Sequence, residues 1–284
     1  MTDPALAAWS GGADEVCPDA TVVRVLRHLP GRRVATLVET PTGPAVLKVF
    51  ARPRARGNER RLRLLAACPT TGAMVPQPLG ADSAGHVGLV GYVPGQVFDT
   101  LDDETFVHTA GLVGAALVRL HSAWITLDRS WTWSQEVDLL QRRMTATSEP
   151  WIADAVATTR HLAAEPSVVS HRDCHPRQVV LTGDGTVRWI DLDDAAQAPA
   201  TLDVGNMLAH LARDGATGQR SVPVSAAASA AFRDAYGSVP GDLSAWHHLA
   251  LLRLAGLAES RHGRPDQARR ILSLLEPGRA VSVA

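Results

Sequence analysis

Val169-Ser170-His171-Arg172-Asp173-Cys174-His175-Pro176-Arg177-Gln178-Val179-Val180-Leu181 is the stretch from which the architecture of this 284-residue chain is read. Ser167-Val168-Val169-Ser170 has the β-branched character of a short strand, and it runs into a polar loop. Val179-Val180-Leu181 leaves that loop as a second strand. Thr182-Gly183-Asp184-Gly185 is a turn, and Val187-Arg188-Trp189-Ile190 returns as the paired strand. Asp191 ends the return strand within Trp189-Ile190-Asp191-Leu192-Asp193-Asp194. Asp173 thus follows a strand and Gln178 precedes one. The hairpin is expected to carry Gln178 and Asp191 to the same end of a two-stranded ribbon.

Upstream the chain is strand-rich. Thr21 to Leu26, Val34 to Thr40 and Ala45 to Phe50 are short β-branched runs, separated by the turns Leu29-Pro30-Gly31-Arg32 and Pro41-Thr42-Gly43-Pro44. That spacing predicts an antiparallel meander. In the third run Lys48 alternates with Leu47 and Val49, so it points to the opposite face. Asn58 to Ala67 reads as a helix with Asn58 as its N-cap. Val75-Pro76-Gln77-Pro78 is an extended connector. Val87 to Val93 is a further apolar run, ended by Pro94-Gly95. The first ninety residues therefore read β-β-β-α-β-β.

Beyond Pro94-Gly95 the pattern turns helical. Helices are expected over Phe106–His121, Trp151–Ala164, Asp203–Arg213, Val224–Tyr236, Leu243–Arg261 and about Pro265–Leu275. The fold class is α+β with two lobes: a small antiparallel β lobe over residues 1–91 and a larger, mainly α lobe over residues 92–284. Clefts between such units are common ligand sites.

Composition narrows the function. A hydrophobic content of 45% suits a globular chain, and a net charge of −1 gives no field to attract nucleic acid or anionic lipid. The expected partner is a small molecule, with neither nucleic acid nor membrane. Three cysteines without a CxxC pair argue against a disulfide scaffold and a structural zinc site. The start carries no signal-peptide pattern, no apolar run spans a membrane, and a reducing cytoplasm fits best. Of the 28 basic residues, Lys48 is the single lysine. Coding bias towards arginine explains the other 27, but a site that needs a compact ammonium does not tolerate the exchange.

Asp191 and the Gln178 amide are hard oxygen donors of the kind Mg²⁺ takes, with phosphates and water completing its shell. Asp173 is placed to accept the proton of a substrate hydroxyl. In phosphoryl transfer, placement and charge neutralisation dominate. Lys48 would reach the α- and β-phosphates of a nucleotide, and Glu59, on the following helix, would pair with Lys48 and fix it.

The central segment resembles the catalytic loop of the aminoglycoside phosphotransferase and choline kinase-like group, within the protein-kinase-like fold. The loop of that group reads His-Gly-Asp-x-His-x-x-Asn, followed by Ile-Asp-Phe/Trp; here it reads His171 to Gln178, then Ile190-Asp191-Leu192-Asp193. The resemblance extends to Ala45-Val46-Leu47-Lys48 as the lysine strand and Asn58-Glu59-Arg60 opening the helix. It also takes in Leu89-Val90-Gly91-Tyr92-Val93-Pro94-Gly95 as the hinge and Leu202-Asp203-Val204-Gly205-Asn206 as a helix start. It implies an Mg²⁺-dependent small-molecule O-kinase that uses ATP or GTP. By resemblance Asp173 is the catalytic base, Asp191 the main metal ligand and Gln178 the second. His171 is structural, His175 supports the loop, and Asp203 anchors it. Backbone groups of Val90, Tyr92 and Val93 bind the adenine edge. Two features depart from the pattern. Gln178 stands where the group has asparagine, and the turn at Leu29 to Arg33 has one glycine, so Arg32 and Arg33 either supply phosphate-binding charge or are solvated.

Several residues admit plainer readings. Cys174 is a packing residue, and Asp99, Asp102, Asp103 and Glu104 form a solvated turn with a helix cap. Asp193 and Asp194 either receive a positively charged substrate or add charge beside the metal. Trp131 and Trp133 stack on a ligand or pack in the core. A protein kinase is disfavoured: eleven residues separate Asp191 from Asp203, too few for an activation segment, and no Ala-Pro-Glu element occurs. A non-catalytic nucleotide-binding relative is the remaining alternative, supported by Gln178 and opposed by Asp173. Acceptors in the resembled group include aminoglycosides and other antibiotics, choline-like amino alcohols, sugars and homoserine-like metabolites. Nothing in residues 122–150 or the C-terminal helices selects one, and no pattern sets the oligomeric state.

Overall fold

The computed structural model describes Asp3 and residues 11–143, 149–239 and 241–276. The chain divides into two compact units, one of Met1–Gly95 with Arg188–Asp193, the other of Gln96–Val187 with Asp194–Ala284.

The first unit is built on β1 (Thr21–Leu29), β2 (Arg33–Thr40), β3 (Gly43–Phe50), β4 (Pro78–Ala81) and β5 (Val87–Gly91), joined in the sheet order β1-β2-β3-β5-β4. Its pairings are antiparallel. Alternation along β2 and β3 decides which face is buried. Val34 and Val38 of β2, Ala45, Leu47 and Val49 of β3, and Val87 and Leu89 of β5 form one apolar cluster. The short helix α1 (Gly11–Val16), absent from the sequence reading, lays Ala13 and Val16 against it. Lys48 is thereby turned to the other face, opposite Ala35 on β2 and Gly88 on β5. Helix α2 (Ala55–Ala67) begins three residues before the expected Asn58, with Arg54 at its N-cap position. Asn58 lies inside the helix, buried, and accepts a 2.6 Å hydrogen bond from Arg61. It cannot cap because its backbone is already helical.

The second unit contains β6 (Gln96–Val97), α3 (Asp103–His121), α4 (Trp133–Arg142), α5 (Glu149–Thr158) and β7 (Ser167–Ser170). Then come β8 (Val179–Leu181), β10 (Ala196–Pro199), α6 (Ala200–Thr217), α7 (Val222–Tyr236), α8 (Leu243–Ser260) and α9 (Pro265–Leu272). Strand β9 (Val187–Trp189) is where the chain crosses from one unit to the other. Asp102 caps α3 through a 2.9 Å bond from the Thr105 amide, as its place in the acidic turn suggested. Thr132 and Gln135 form a reciprocal capping box that starts α4 in the stretch 122–150.

Helix α6 sits at the centre of this unit, buried along nearly its whole first three turns. It packs on α8, whose Trp246, Leu249, Leu251 and Leu252 enter the same core as Leu202 and Ala209. Gly205 makes that approach possible: a Cβ there would lie 2.8 Å from the backbone nitrogen of His247. β7 pairs antiparallel with β10, which feeds directly into α6. The loop after β7 and the first turns of α6 are thus held to one local frame. Among the described residues no helix is long and apolar enough to cross a membrane.

Candidate active site

In the first unit Lys48 meets two carboxylates. Its ammonium donates to Asp191 Oδ1 at 2.9 Å and to Asp193 Oδ1 at 2.8 Å. Arg33, at the start of β2, reaches the same pair: Nη2 to Asp191 Oδ2 at 2.9 Å, and Nη1 to Asp191 Oδ1 and Asp193 Oδ2 at 3.2 Å each. Arg54 donates to the Asp193 carbonyl at 2.9 Å. Asp191 holds a left-handed backbone, φ 56°, uncommon for a residue with a side chain. Two cations therefore share two carboxylates, all four side chains at most about one-fifth exposed.

Electrostatics follow from that packing. Burial disfavours the Asp191 carboxylate, but Lys48 and Arg33 outweigh burial and hold it well below the usual range. At Asp193 burial and the adjacent Asp191 charge prevail over Lys48, and its carboxyl is raised. Burial alone would lower Lys48; the two carboxylates reverse this and raise it. Replacing Lys48 by Met is expected to cost about 2–3 kcal/mol, because Arg33 keeps compensating part of the buried charge. The midpoint of urea unfolding checks this, and an unchanged midpoint at pH 7 would show that the network is dispensable.

The second unit holds the loop between β7 and β8. Asp203, fully buried on the first turn of α6, accepts from the amides of His171 and Arg172 at 2.7 Å each. One turn on, Asn206 donates to the Cys174 carbonyl at 2.7 Å. The loop is thereby fastened at three points to one helix. Arg172 takes a left-handed backbone, φ 67°, where the resembled motif has glycine. Next to it stands Asp173. Its side chain stays 42% exposed although it lies deep in the fold. Burial pushes its carboxyl up, but this is outweighed by His175 and then by Arg253 and His171, which leave it well below the usual range. His175 Nε2 is 3.6 Å from Asp173 Oδ2, and the Gln178 amide donates to the same oxygen at 3.4 Å. His175 also accepts from the Arg177 amide and stacks on His210 with centroids 4.5 Å apart.

Asp173, His171, His175, Gln178 and Asp203 thus fall together in one unit, and Lys48 and Asp191 in the other. Glu59 is a correction. Lys48 bonds to Asp191 and Asp193, while Glu59 pairs with Arg63 one turn along the same helix. The nearer cation wins, since residues four apart on a helix are neighbours. On the hinge segment the Tyr92 amide donates to the Pro44 carbonyl at 3.1 Å. Sequence reasoning left Arg33, Asp193 and Asp194 undecided; Arg33 and Asp193 join the Lys48–Asp191 network. Cys174 is buried and its thiol is pushed well up by burial, as suits a packing residue.

Among the described residues no three or more His, Cys, Asp or Glu side chains form a metal cluster. A Mg²⁺ that serves phosphates takes only one or two carboxylates from protein. The ionised Asp191 of the first unit is a donor of that kind.

The sequence profile of the phosphotransferase enzyme family matches residues 29–252. The chain belongs to this family. No curated protein sequence matches it. As a member of the phosphotransferase family it has the kinase-like fold of several solved structures. An aminoglycoside phosphotransferase of the APH(3'')-Id type from Streptomyces rimosus is 18% identical, with a TM-score of 0.64 over 89% of this chain and 99% of its own. That enzyme has also been solved with ADP and streptomycin. A choline/ethanolamine kinase family protein from Mesorhizobium loti is 16% identical, with a TM-score of 0.67 over 99% of this chain and 97% of its own. Choline kinase LicA from Streptococcus pneumoniae is 13% identical, with a TM-score of 0.67 over 94% and 96%.

Proposed function

We propose that this phosphotransferase moves the γ-phosphate of ATP or GTP to a hydroxyl of a small molecule, in the cytoplasm and with Mg²⁺. The observation that carries this reading is the Asp203-clamped loop presenting a partly exposed, ionised Asp173 beside the Gln178 amide. Family membership supports the same chemistry.

Asp173 accepts the proton of the attacking hydroxyl. Asp191 and Gln178 would hold Mg²⁺, which would supply charge neutralisation at the phosphates. Lys48 supplies the point charge for the phosphates, and the hinge residues Val90, Tyr92 and Val93 take the adenine edge. His171, His175 and Asp203 hold the loop. In phosphoryl transfer such placement does most of the work. The ADP complex of the Streptomyces rimosus enzyme favours a nucleotide donor.

The test is ADP formation from ATP or GTP with a pool of hydroxylated acceptors, with and without Mg²⁺. Acceptor-dependent, EDTA-sensitive ADP is the expected result. Nucleotide binding without any ADP would instead establish a non-catalytic nucleotide-binding protein.

A further inference from the structure

The second unit carries a set of guanidinium groups that the phosphoryl-transfer roles do not use. Arg129 and Arg172 share one carboxylate: Arg129 Nη1 lies 3.1 Å from Asp194 Oδ1, and Arg172 Nη2 3.1 Å from Asp194 Oδ2. Arg172 also covers the Trp131 ring at 4.0 Å from the centroid. Trp131 Nε1 in turn donates to Glu136 at 2.9 Å. Glu136 is 4% exposed, and its other oxygen stands 3.8 Å from Arg253 Nε, beyond hydrogen-bond reach. Arg253 is itself buried to 9% exposure; its Nη2 donates to Asn206 Oδ1, and its Nε has no hydrogen-bond acceptor among the described residues. Arg143, half-buried after α4, makes no side-chain hydrogen bond or ion pair among the described residues. Burial, then the charge of Arg253, pulls it down to about 10, against the weaker opposing pull of Glu136 and Asp173.

The charge balance of this cluster is informative. Among the described residues, the four guanidiniums Arg129, Arg143, Arg172 and Arg253 stand with two carboxylates, Asp194 and Glu136, and Arg261 adds a further positive charge near Arg143. Asp173 is engaged in the chemistry. Buried charges are normally paired, and this set has an excess of cations beside the base. Arg172 makes the point more strongly. At φ 67° a glycine would be unstrained, whereas a side chain costs about 1–2 kcal/mol. The chain nevertheless places a guanidinium immediately before Asp173. A pocket for a cationic acceptor would need carboxylates in excess instead.

We propose that the acceptor carries an oxyanion, a carboxylate or a phosphate, near the hydroxyl that is phosphorylated, and that Arg143 with Arg253 and Arg172 receives it. This rests on the kinase reading of Asp173 above, and Arg143 acts as a specificity-determining residue. Guanidinium suits the role because its planar fork matches carboxylate and phosphate oxygens.

Steady-state ADP release separates the possibilities. The probes are the hydroxy acids gluconate and glycerate, glucose 6-phosphate as a phosphate carrier, glucose as a neutral control, and the cations glucosamine and choline. The expected result is kcat/KM at least about tenfold higher for an oxyanion acceptor than for the amines, the hydroxy acids and the sugar phosphate telling the two anions apart. Arg143→Ala is expected to raise KM for that acceptor by roughly 10- to 100-fold, with KM for ATP unchanged. Arg143→Lys, which keeps the charge and guards against a folding artefact, should recover part of the loss. Preferred turnover of glucosamine, choline or glucose overturns the proposal and leaves the kinase reading intact. So does an Arg143→Ala variant with unchanged acceptor KM. No ADP above the Asp173→Asn background with any probe removes the kinase reading and the inference together.

Discussion

Replacing Asp173 by Asn is expected to lower kcat by about 10²–10⁴-fold, the usual contribution of a positioned general base. The substitution is nearly isosteric. It removes the ability to take a proton while keeping an oxygen for the Gln178 amide, which donates to Asp173 at 3.4 Å. The loop geometry is set elsewhere, by Asp203 and Asn206, so nucleotide affinity should be unchanged. Calorimetric titration with a nucleotide, alongside ADP release, measures the two effects separately. The pH dependence is also specified. His175, Arg253 and His171 overcome burial and hold Asp173 well below the ordinary carboxylate range. It therefore stays ionised through the neutral range, and no acid limb from this group should appear between about pH 5 and 8. A variant retaining kcat within tenfold of the parent would remove Asp173 from the role of base.

The residues that were legible in sequence are those whose signals are local. The strict alternation in β3 put Lys48 on the face away from Leu47 and Val49, and the structure has it there. The acidic turn at Asp102 announced the start of α3. Helix α4 is not legible from periodicity, although Thr132 and Gln135 spell a capping box, because the apolar pattern that follows is short. Arg33 was undecidable for a different reason. Its carboxylate partners lie about 160 residues away in sequence, and no local pattern distinguishes such an arginine from a solvated one. Glu59 failed because a glutamate early in a helix has two candidate cations. The one on its own helix, Arg63, took it. Arg172 stands at the glycine position of the catalytic-loop pattern, and the structure holds it in a left-handed backbone, φ 67°. That an arginine holds this conformation, stacked on Trp131 and paired with Asp194, became visible only with tertiary contacts.

Removing the Asp203 carboxylate with Asp203→Ala should cost about 3–5 kcal/mol, the range for deleting one partner of a buried charged group. Its oxygens satisfy the buried His171 N–H and the part-buried Arg172 N–H at 2.7 Å each, and a third contact runs to His121 Nε2 at 3.2 Å. Alanine would leave those donors without acceptors, each at about 1–3 kcal/mol. It would also release the left-handed turn at Arg172, whose strain the two bonds oppose. For a chain of this size the loss corresponds to a fall in Tm of roughly 10 °C. Asp203→Asn keeps one acceptor oxygen and should lose less. The pH dependence separates charge from shape. Burial raises the Asp203 carboxyl, but the bond and charge of His121, with His171 and Ser170, lower it below its ordinary value. A depressed folded pKa stabilises above the unfolded value of about 4, and that contribution disappears as pH falls through the folded value. The difference in Tm between the parent and Asp203→Asn should therefore be full at pH 7 and shrink towards pH 3. Differential scanning calorimetry across that range decides it. A difference that is flat with pH would mean that Asp203 holds the loop by shape and hydrogen bonding alone, without its charge.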